Sequence, residues 1–206
     1  YQEYIKIEKG IKIRADDGLT ASQVILDGNN YTLPNYVDRP GGTLNGNTYY
    51  DFTYKGLIDI WASNVEIKNI TIQYSKGRGI YIFSQAGNSG RWNNILLDNV
   101  IIKHCRHAAG VSQYADNVVI KNCQSDDTGN YAPFSRSPVG VNGLNWPQAF
   151  SLKQGTNVIF ENNYIKNHWG EGIGVTQDLA EFVIRNNKIE NTYNTPIYIQ
   201  RCNGGV

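Results

Sequence analysis

Basic, imidazole and carboxylate side chains gather in a few short stretches of this chain. Lys76 and Arg78 form one group, His104, Arg106 and His107 a second, Asp126, Asp127 and Arg136 a third, and His168 with Glu171 a fourth; Lys153 and Gln177 stand apart. Histidine, lysine and a buried carboxyl group can exchange protons near neutral pH, and arginine binds carboxylates through charge-assisted hydrogen bonds. Arg78, Arg106, His107, Lys153, His168 and Glu171 are therefore the candidate catalytic residues. Trp61, Tyr81, Trp146, Trp169 and Tyr198 offer flat apolar faces with polar edges and form the candidate binding set. The densest cluster is Asn167-His168-Trp169-Gly170-Glu171-Gly172-Ile173, in which glycines would let a ligand approach the backbone closely.

Those residues depend for their positions on a repeat. Asn64-Val65-Glu66-Ile67-Lys68-Asn69 recurs as Asn94 to Asn99, Asn117 to Asn122, Asn157 to Asn162 and, in weaker form, Glu181 to Asn186. Each copy alternates apolar and polar residues with period two and closes on asparagine, which marks a short strand followed by a bend. A second strand column precedes each copy: Leu57-Ile58-Asp59-Ile60, Gly79-Ile80-Tyr81-Ile82, Gly110-Val111-Ser112-Gln113, Ala149-Phe150-Ser151-Leu152 and Gly172-Ile173-Gly174-Val175, with Ile197-Tyr198-Ile199 opening another. A third follows the asparagine, as in Ile70-Thr71-Ile72. Three short strands per coil and an interval of about 23 residues carrying insertions predict an all-β, single-stranded parallel solenoid of about seven to eight coils.

The asparagines at 69, 99, 122, 162 and 186 are expected in the left-handed region, with their amides stacked from coil to coil. Asn122 is accordingly expected to hold stability through a buried amide. Asn163 and Asn187, one place later, suggest a partial second column whose direction the sequence leaves open.

In a solenoid the strands repeat and the long turns vary, so ligand-binding residues collect where extended turns wall in a sheet. The largest insertion spans 125–148, a smaller one 84–93, and both flank the sheet of first strands. Its expected outward positions are Asp59, Tyr81, Ser112, Ser151, Gly174 and Tyr198, and the groove is placed there. A further excursion, 27–55, interrupts the first coils. The whole of 1–206 reads as one domain with incomplete terminal coils, a fragment or a stack whose open ends contact other chains.

The repeat, apolar-x-Ile-x-Asn-(Asn)-x-Ile, resembles the right-handed parallel β-helix of pectate lyases and many secreted polysaccharide-degrading enzymes. The Trp169-Gly170-Glu171-Gly172 turn resembles one in bacterial β-helix proteins of unassigned activity. The resemblance implies a secreted or cell-surface protein whose groove takes a polysaccharide. It does not extend to catalytic motifs: the Trp-Ile-Asp-His and Arg-x-Pro-x-x-Arg segments of pectate lyases are missing, as are the Asn-Thr-Asp, Gly-His-Gly and Arg-Ile-Lys segments of polygalacturonases.

A uronate lyase would use arginine or Ca²⁺ to neutralise the sugar carboxylate and lysine, arginine or histidine to remove the adjacent proton. A glycoside hydrolase, the second choice, would need two carboxylates across the scissile bond, drawn from Asp126, Asp127, Glu171 and Asp59. The alternative from another class is a non-catalytic structural or adhesive solenoid, or a carbohydrate-binding module. Ca²⁺ is a candidate ligand of Asp116, Asp126, Asp127 and Asp178, although no ligand-loop spacing supports it and no metal site is assigned. A net charge of +1 gives no basic surface for nucleic acid, no apolar run is long enough to span a membrane, and three cysteines give no disulfide framework.

Overall fold

The computed structural model describes residues 3–29, 55–129 and 148–205, together with the backbone of 40–44 and 47–50. Three parallel sheets run through it. The first contains Ile5–Ile7, Gly56–Ile60, Arg78–Phe83, Gly110–Gln113, Gln148–Lys153, Glu171–Thr176 and Ile197–Gln200, adjacent in that order. The second contains Ile11–Arg14, Val65–Lys68, Trp92–Asp98, Ala115–Lys121, Thr156–Glu161, Ala180–Arg185 and Asn203–Gly205. The third contains Ile25–Asp27, Thr71–Gln73, Ile101–Lys103, Gln124–Asp126, Tyr164–His168 and Lys188–Thr192. Each of the first six windings gives one strand to each sheet and the seventh gives one to the first and second, so seven coils stack into a parallel β-helix, as the repeat predicts. The excursion at 27–55 contains an antiparallel pair, Pro40–Leu44 with Asn47–Tyr50. Of the 125–148 insertion, residues 130–147 lie outside the described residues.

Register follows from the period-two pattern, because a slip of one residue would turn every apolar side chain outward. Ile67, Leu97, Ile120, Phe160 and Ile184 pair in succession across the second sheet, and the first four are essentially inaccessible to solvent. Gly110 stands opposite Phe150, and a Cβ there would press on the phenyl ring at 3.0 Å, so the glycine gives that ring its space. At the first coil the core opens into a hollow of about 620 Å³ lined by Ile5, Ile13, Val24, Ile25, Leu26 and Ile70. At the last coil Ile197 and Ile199 are exposed.

The five closing asparagines all adopt φ between 53° and 55°. The backbone N–H groups of Asn69, Asn99, Asn122 and Asn162 each donate to a carbonyl of the following coil, which places the corner in single file. Their side chains do not form the buried stack expected. Asn99 donates to Asn69 at 3.0 Å on the surface, and Asn122 is exposed and donates to Asp98 at 2.8 Å. The inward-pointing amides are those one place later. Asn163, 2% exposed, accepts from the Cys123 N–H at 2.8 Å and donates to the Ile120 carbonyl at 3.0 Å; Asn187 repeats both bonds one coil on, with the Asn163 N–H and the Phe160 carbonyl. The corner residue's Cα turns its side chain to solvent, and the next side chain is the one that points inward.

A second correction concerns the first sheet. Tyr81 pairs with Val111 and Val111 with Ser151, so the outward row is Asp59, Tyr81, Val111, Ser151, Gly174 and Tyr198. Ser112 lies in the inward row between Ile82 and Leu152. The small residues Ala108, Ala109 and Gly110 before it conceal the phase of that strand in the sequence.

Candidate functional site

The outer face of the first sheet is buried as thoroughly as its inner face in the strands Gly56–Ile60 and Arg78–Phe83 up to Ile82. Tyr81, Ala108 and Val111 pack there into a small apolar cluster, joined by Phe83. Arg78, only 4% exposed, lays its guanidinium carbon 4.4 Å from the centre of the Tyr81 ring. That contact carries the arginine along its strand toward the middle of the face, where an arginine on an aromatic surface gains cation–π attraction.

His107 enters from the next coil, with its backbone N–H donating to the Gly77 carbonyl at 3.0 Å. Burial holds its imidazole well below the ordinary histidine range, and the positive charges of Arg78, His168 and Lys153 add to the effect, so the ring is neutral at pH 7. Lys153 comes from the coil after, in register with Gln113 and Thr176. Burial, reinforced by the Arg78 charge, holds its ammonium down to about 8. Burial also lowers Arg106, beside His107. Three successive coils thus bring Arg78, His107 and Lys153 within electrostatic reach of one another.

Glu171 lies one coil further on and is 6% exposed. Burial raises its carboxyl, and a hydrogen bond donated by Gln148 Nε2 at 2.7 Å partly opposes this. Gln148 escaped the sequence reading because it is the last residue of the long insertion; its pairing with Glu171 across the sheet is what reveals it. Gly174 does not serve ligand approach, since a Cβ there would lie 2.4 Å from the Gln148 Cγ: the glutamine fills that space. Gly172 points toward Pro196 and Ile189.

The remaining sequence candidates have other direct partners, although His168 is within electrostatic reach of His107. His168 is buried, and its Nδ1 meets the Thr128 hydroxyl at 2.8 Å, itself 3.1 Å from Ser125. It belongs to an inward row of small polar residues at the corner. Trp169 stacks on Tyr193 with ring centres 4.0 Å apart. The Trp61 ring carries the ammonium groups of Lys6 and Lys55 at 4.3 and 4.5 Å. One face of Trp169 is therefore taken, and Trp61 serves its own lysines. Tyr198 keeps the predicted outward row, in the last coil. Trp146 and Arg136 lie outside the described residues.

Asp59, wholly buried, accepts from the Tyr4 hydroxyl and the Gly56 N–H, each at 2.8 Å, and faces Lys55 at 3.4 Å. Asp126 pairs with Lys166 and Asp127 with His104 on or beside the third sheet. Asp116 pairs with Arg91 and Asp178 with Arg201. The four aspartates considered for Ca²⁺ thus have four different partners and do not converge, and among the described residues no group of three or more His, Cys, Asp or Glu side chains could hold a metal. Cys105, Cys123 and Cys202 are free, and burial pushes the first two thiols up to about 12, which keeps them unreactive.

The other two sheets carry their outward charges in compensated ladders. Lys68, Asp98 and Lys121 follow one another on the second sheet, with Glu161 and Arg185 beyond; Asp126 with Lys166 and Lys188 with Glu190 do the same on the third. On the first sheet, among the described residues, no carboxylate acts on Lys153 and no cation acts on Glu171.

A family model described as a right-handed β-helix region matches residues 36–206. No curated protein and no solved structure matches the chain. No helix among the described residues is long and apolar enough to cross a membrane.

Proposed function

Since the chain belongs to the right-handed β-helix region family, whose fold fixes no single reaction, we propose a function from its own side chains: a secreted or cell-surface protein that binds an acidic polysaccharide across the first sheet and cleaves it by β-elimination. The observation that carries this reading is Lys153, a covered amine facing Arg78 and His107 on which, among the described residues, no carboxylate acts.

In the proposed reaction the Arg78 guanidinium pairs with the uronate carboxylate, which stabilises negative charge developing on the adjacent carbon. Lys153, as the free amine, takes the proton from that carbon. The electrons form a carbon–carbon double bond as the glycosidic C–O bond breaks, and the lysine ammonium returns the proton to the leaving oxygen. A base with a value near 8 suits this role at neutral to mildly alkaline pH. Hydrolysis is disfavoured because Asp59 and Glu171 stand four strands apart, roughly 19 Å at the usual strand spacing, whereas a hydrolytic pair needs about 5 to 9.5 Å.

The test is incubation with uronate-containing polysaccharides. An ultraviolet-absorbing unsaturated product, lost in Lys153→Met and Arg78→Ala, supports the proposal. New reducing ends without that absorbance would select hydrolysis. Binding without turnover would leave a carbohydrate-binding module, and neither binding nor turnover would favour a structural or adhesive solenoid.

A further inference from the structure

Lys153 belongs to a row that crosses the coils. Phe83, Gln113 and Lys153 stand opposite one another in successive strands of the first sheet, which puts Phe83 two strand spacings, about 9.6 Å, from the lysine. Gln113 spans the gap, its Nε2 donating to Gln154 Oε1 at 2.6 Å, one residue past the lysine. On the early-coil side of Gln113 the surface turns aromatic. The Arg78 guanidinium lies on Tyr81, the Tyr81 ring stacks on Phe83 with centres 5.2 Å apart, and Phe83 meets Tyr114 at 5.9 Å with the rings tilted by 58°. An unbroken run of ring contacts thus leads from the proposed uronate-binding arginine to the corner at Tyr114.

Tyr81 is buried, whereas Phe83 and Tyr114, at the end of the run away from Arg78, remain partly exposed. Tyr114 sits at φ 58°, a left-handed conformation that suits asparagine and disfavours a bulky side chain. Asn69, Asn99 and Asn122 fill an equivalent bend with the less costly residue. Tyr114 is not among the side chains that pack on the main core. The small insertion at 84–93 brings Gly87 beside the ring instead, where a Cβ would lie 3.8 Å from the Tyr114 Cζ. The corner therefore carries a ring that neither the bend nor the core requires, at the rim of the cationic site.

Aromatic faces accept the C–H surface of a sugar ring and do so without a charged partner. We infer that Phe83 and Tyr114 form an aromatic subsite for a sugar flanking the uronate held by Arg78 and Lys153, so that the site takes an oligomeric chain in preference to a single uronate. This inference rests on the acidic-polysaccharide reading of the first sheet.

Equilibrium binding tests it, with monomers and trimers of galacturonate, glucuronate and mannuronate as probes and the tightest-binding trimer carried forward. Tyr114→Asn removes the ring and keeps a residue suited to the left-handed bend, so its unfolding midpoint should equal or exceed that of the parent. It is expected to weaken the trimer at least about fivefold and to leave the matching monomer within about twofold. That trimer ratio should persist when added salt weakens binding overall, because salt screens charges and not ring contacts. Lys153→Met should weaken monomer and trimer together. Trimer affinity unchanged in Tyr114→Asn but weakened in Lys153→Met overturns the aromatic subsite and leaves the reading beneath it standing. Equal weakening of monomer and trimer by Tyr114→Asn also overturns the subsite. Binding of no trimer, or trimer binding unaffected by either substitution, overturns both.

Discussion

Replacing Lys153 with methionine should make the protein more stable at pH 7 while abolishing its affinity for acidic sugar. A lysine held at about 8 instead of its ordinary 10.5 carries a folded-state penalty for its charge. At about 1.4 kcal/mol per pH unit this penalty is about 3 kcal/mol, or about 2 after allowance for the solvent contact the side chain retains. Methionine keeps most of the apolar stem and removes the charge. The sign can be checked through proton linkage: between pH 8 and 10.5 the unfolded chain holds the Lys153 proton and the folded chain has released it, so parent stability rises with pH through that window. The lysine's favourable contribution is therefore present above 10.5 and is lost as pH falls through about 8. Urea unfolding of both proteins at pH 7 and pH 10 provides the measurement. The stabilisation of Lys153→Met should be largest at pH 7 and shrink toward pH 10. A variant less stable than its parent at pH 7, or an advantage that does not change with pH, would refute the placement of an uncompensated amine on this face.

Asn163→Ala should lower stability by about 2 to 4 kcal/mol, because it strands the Cys123 N–H and the Ile120 carbonyl, whereas Asn122→Ala, at an exposed corner, should cost under about 1 kcal/mol in the same thermal or chemical unfolding assay. Gly174→Ala should displace Gln148, destabilising by about 1 to 3 kcal/mol in that assay. Burial raises the Glu171 carboxyl, so the parent should gain stability relative to Glu171→Gln as pH falls into the carboxylate range and lose it as pH rises through the folded-state value; paired unfolding curves between pH 4 and 7 (about the range of carboxyl titration) would show this. His168→Ala should lower the unfolding midpoint and leave the pH profile of any turnover unchanged, because the imidazole belongs to the Thr128 network.

The sequence reading located the three sheets and most of their register because one corner residue per coil is legible. Asn69, Asn99, Asn122, Asn162 and Asn186 share a backbone conformation that few side chains tolerate, so the pattern survives insertions of any length. Arg78, His107 and Lys153 could be placed on a common face by counting from those corners. The direction of individual side chains at the corners was less accessible. His168 occupies the same inward slot as Thr128, one residue past a left-handed corner, and only Cys105, buried in an equivalent position, hinted at it. Contacts on the faces of aromatic rings leave no periodic trace, which is why Trp61 and Trp169 read as open platforms. Gln148 was hidden for a related reason: its partner lies one coil away, at a separation set by an insertion and not by the repeat.

A stacked coil imposes a simple electrostatic rule, since each outward side chain meets the same position above and below at one strand spacing. Alternating signs satisfy it at low cost, and the second and third sheets obey it. The first sheet breaks the rule in the third to sixth coils, where Arg78 lowers the proton affinity of Lys153, both lower that of His107, and Glu171 lies apart. These coils are interior, each hydrogen-bonded to neighbours on both sides, and interior coils open less readily than terminal ones. They are the part of the stack best able to hold charges of like sign close together. Lys153, covered and with no carboxylate among the described residues acting on it, is poised for an external counter-charge, and an anionic group delivered to it would raise its proton affinity and recover the stability that its burial costs.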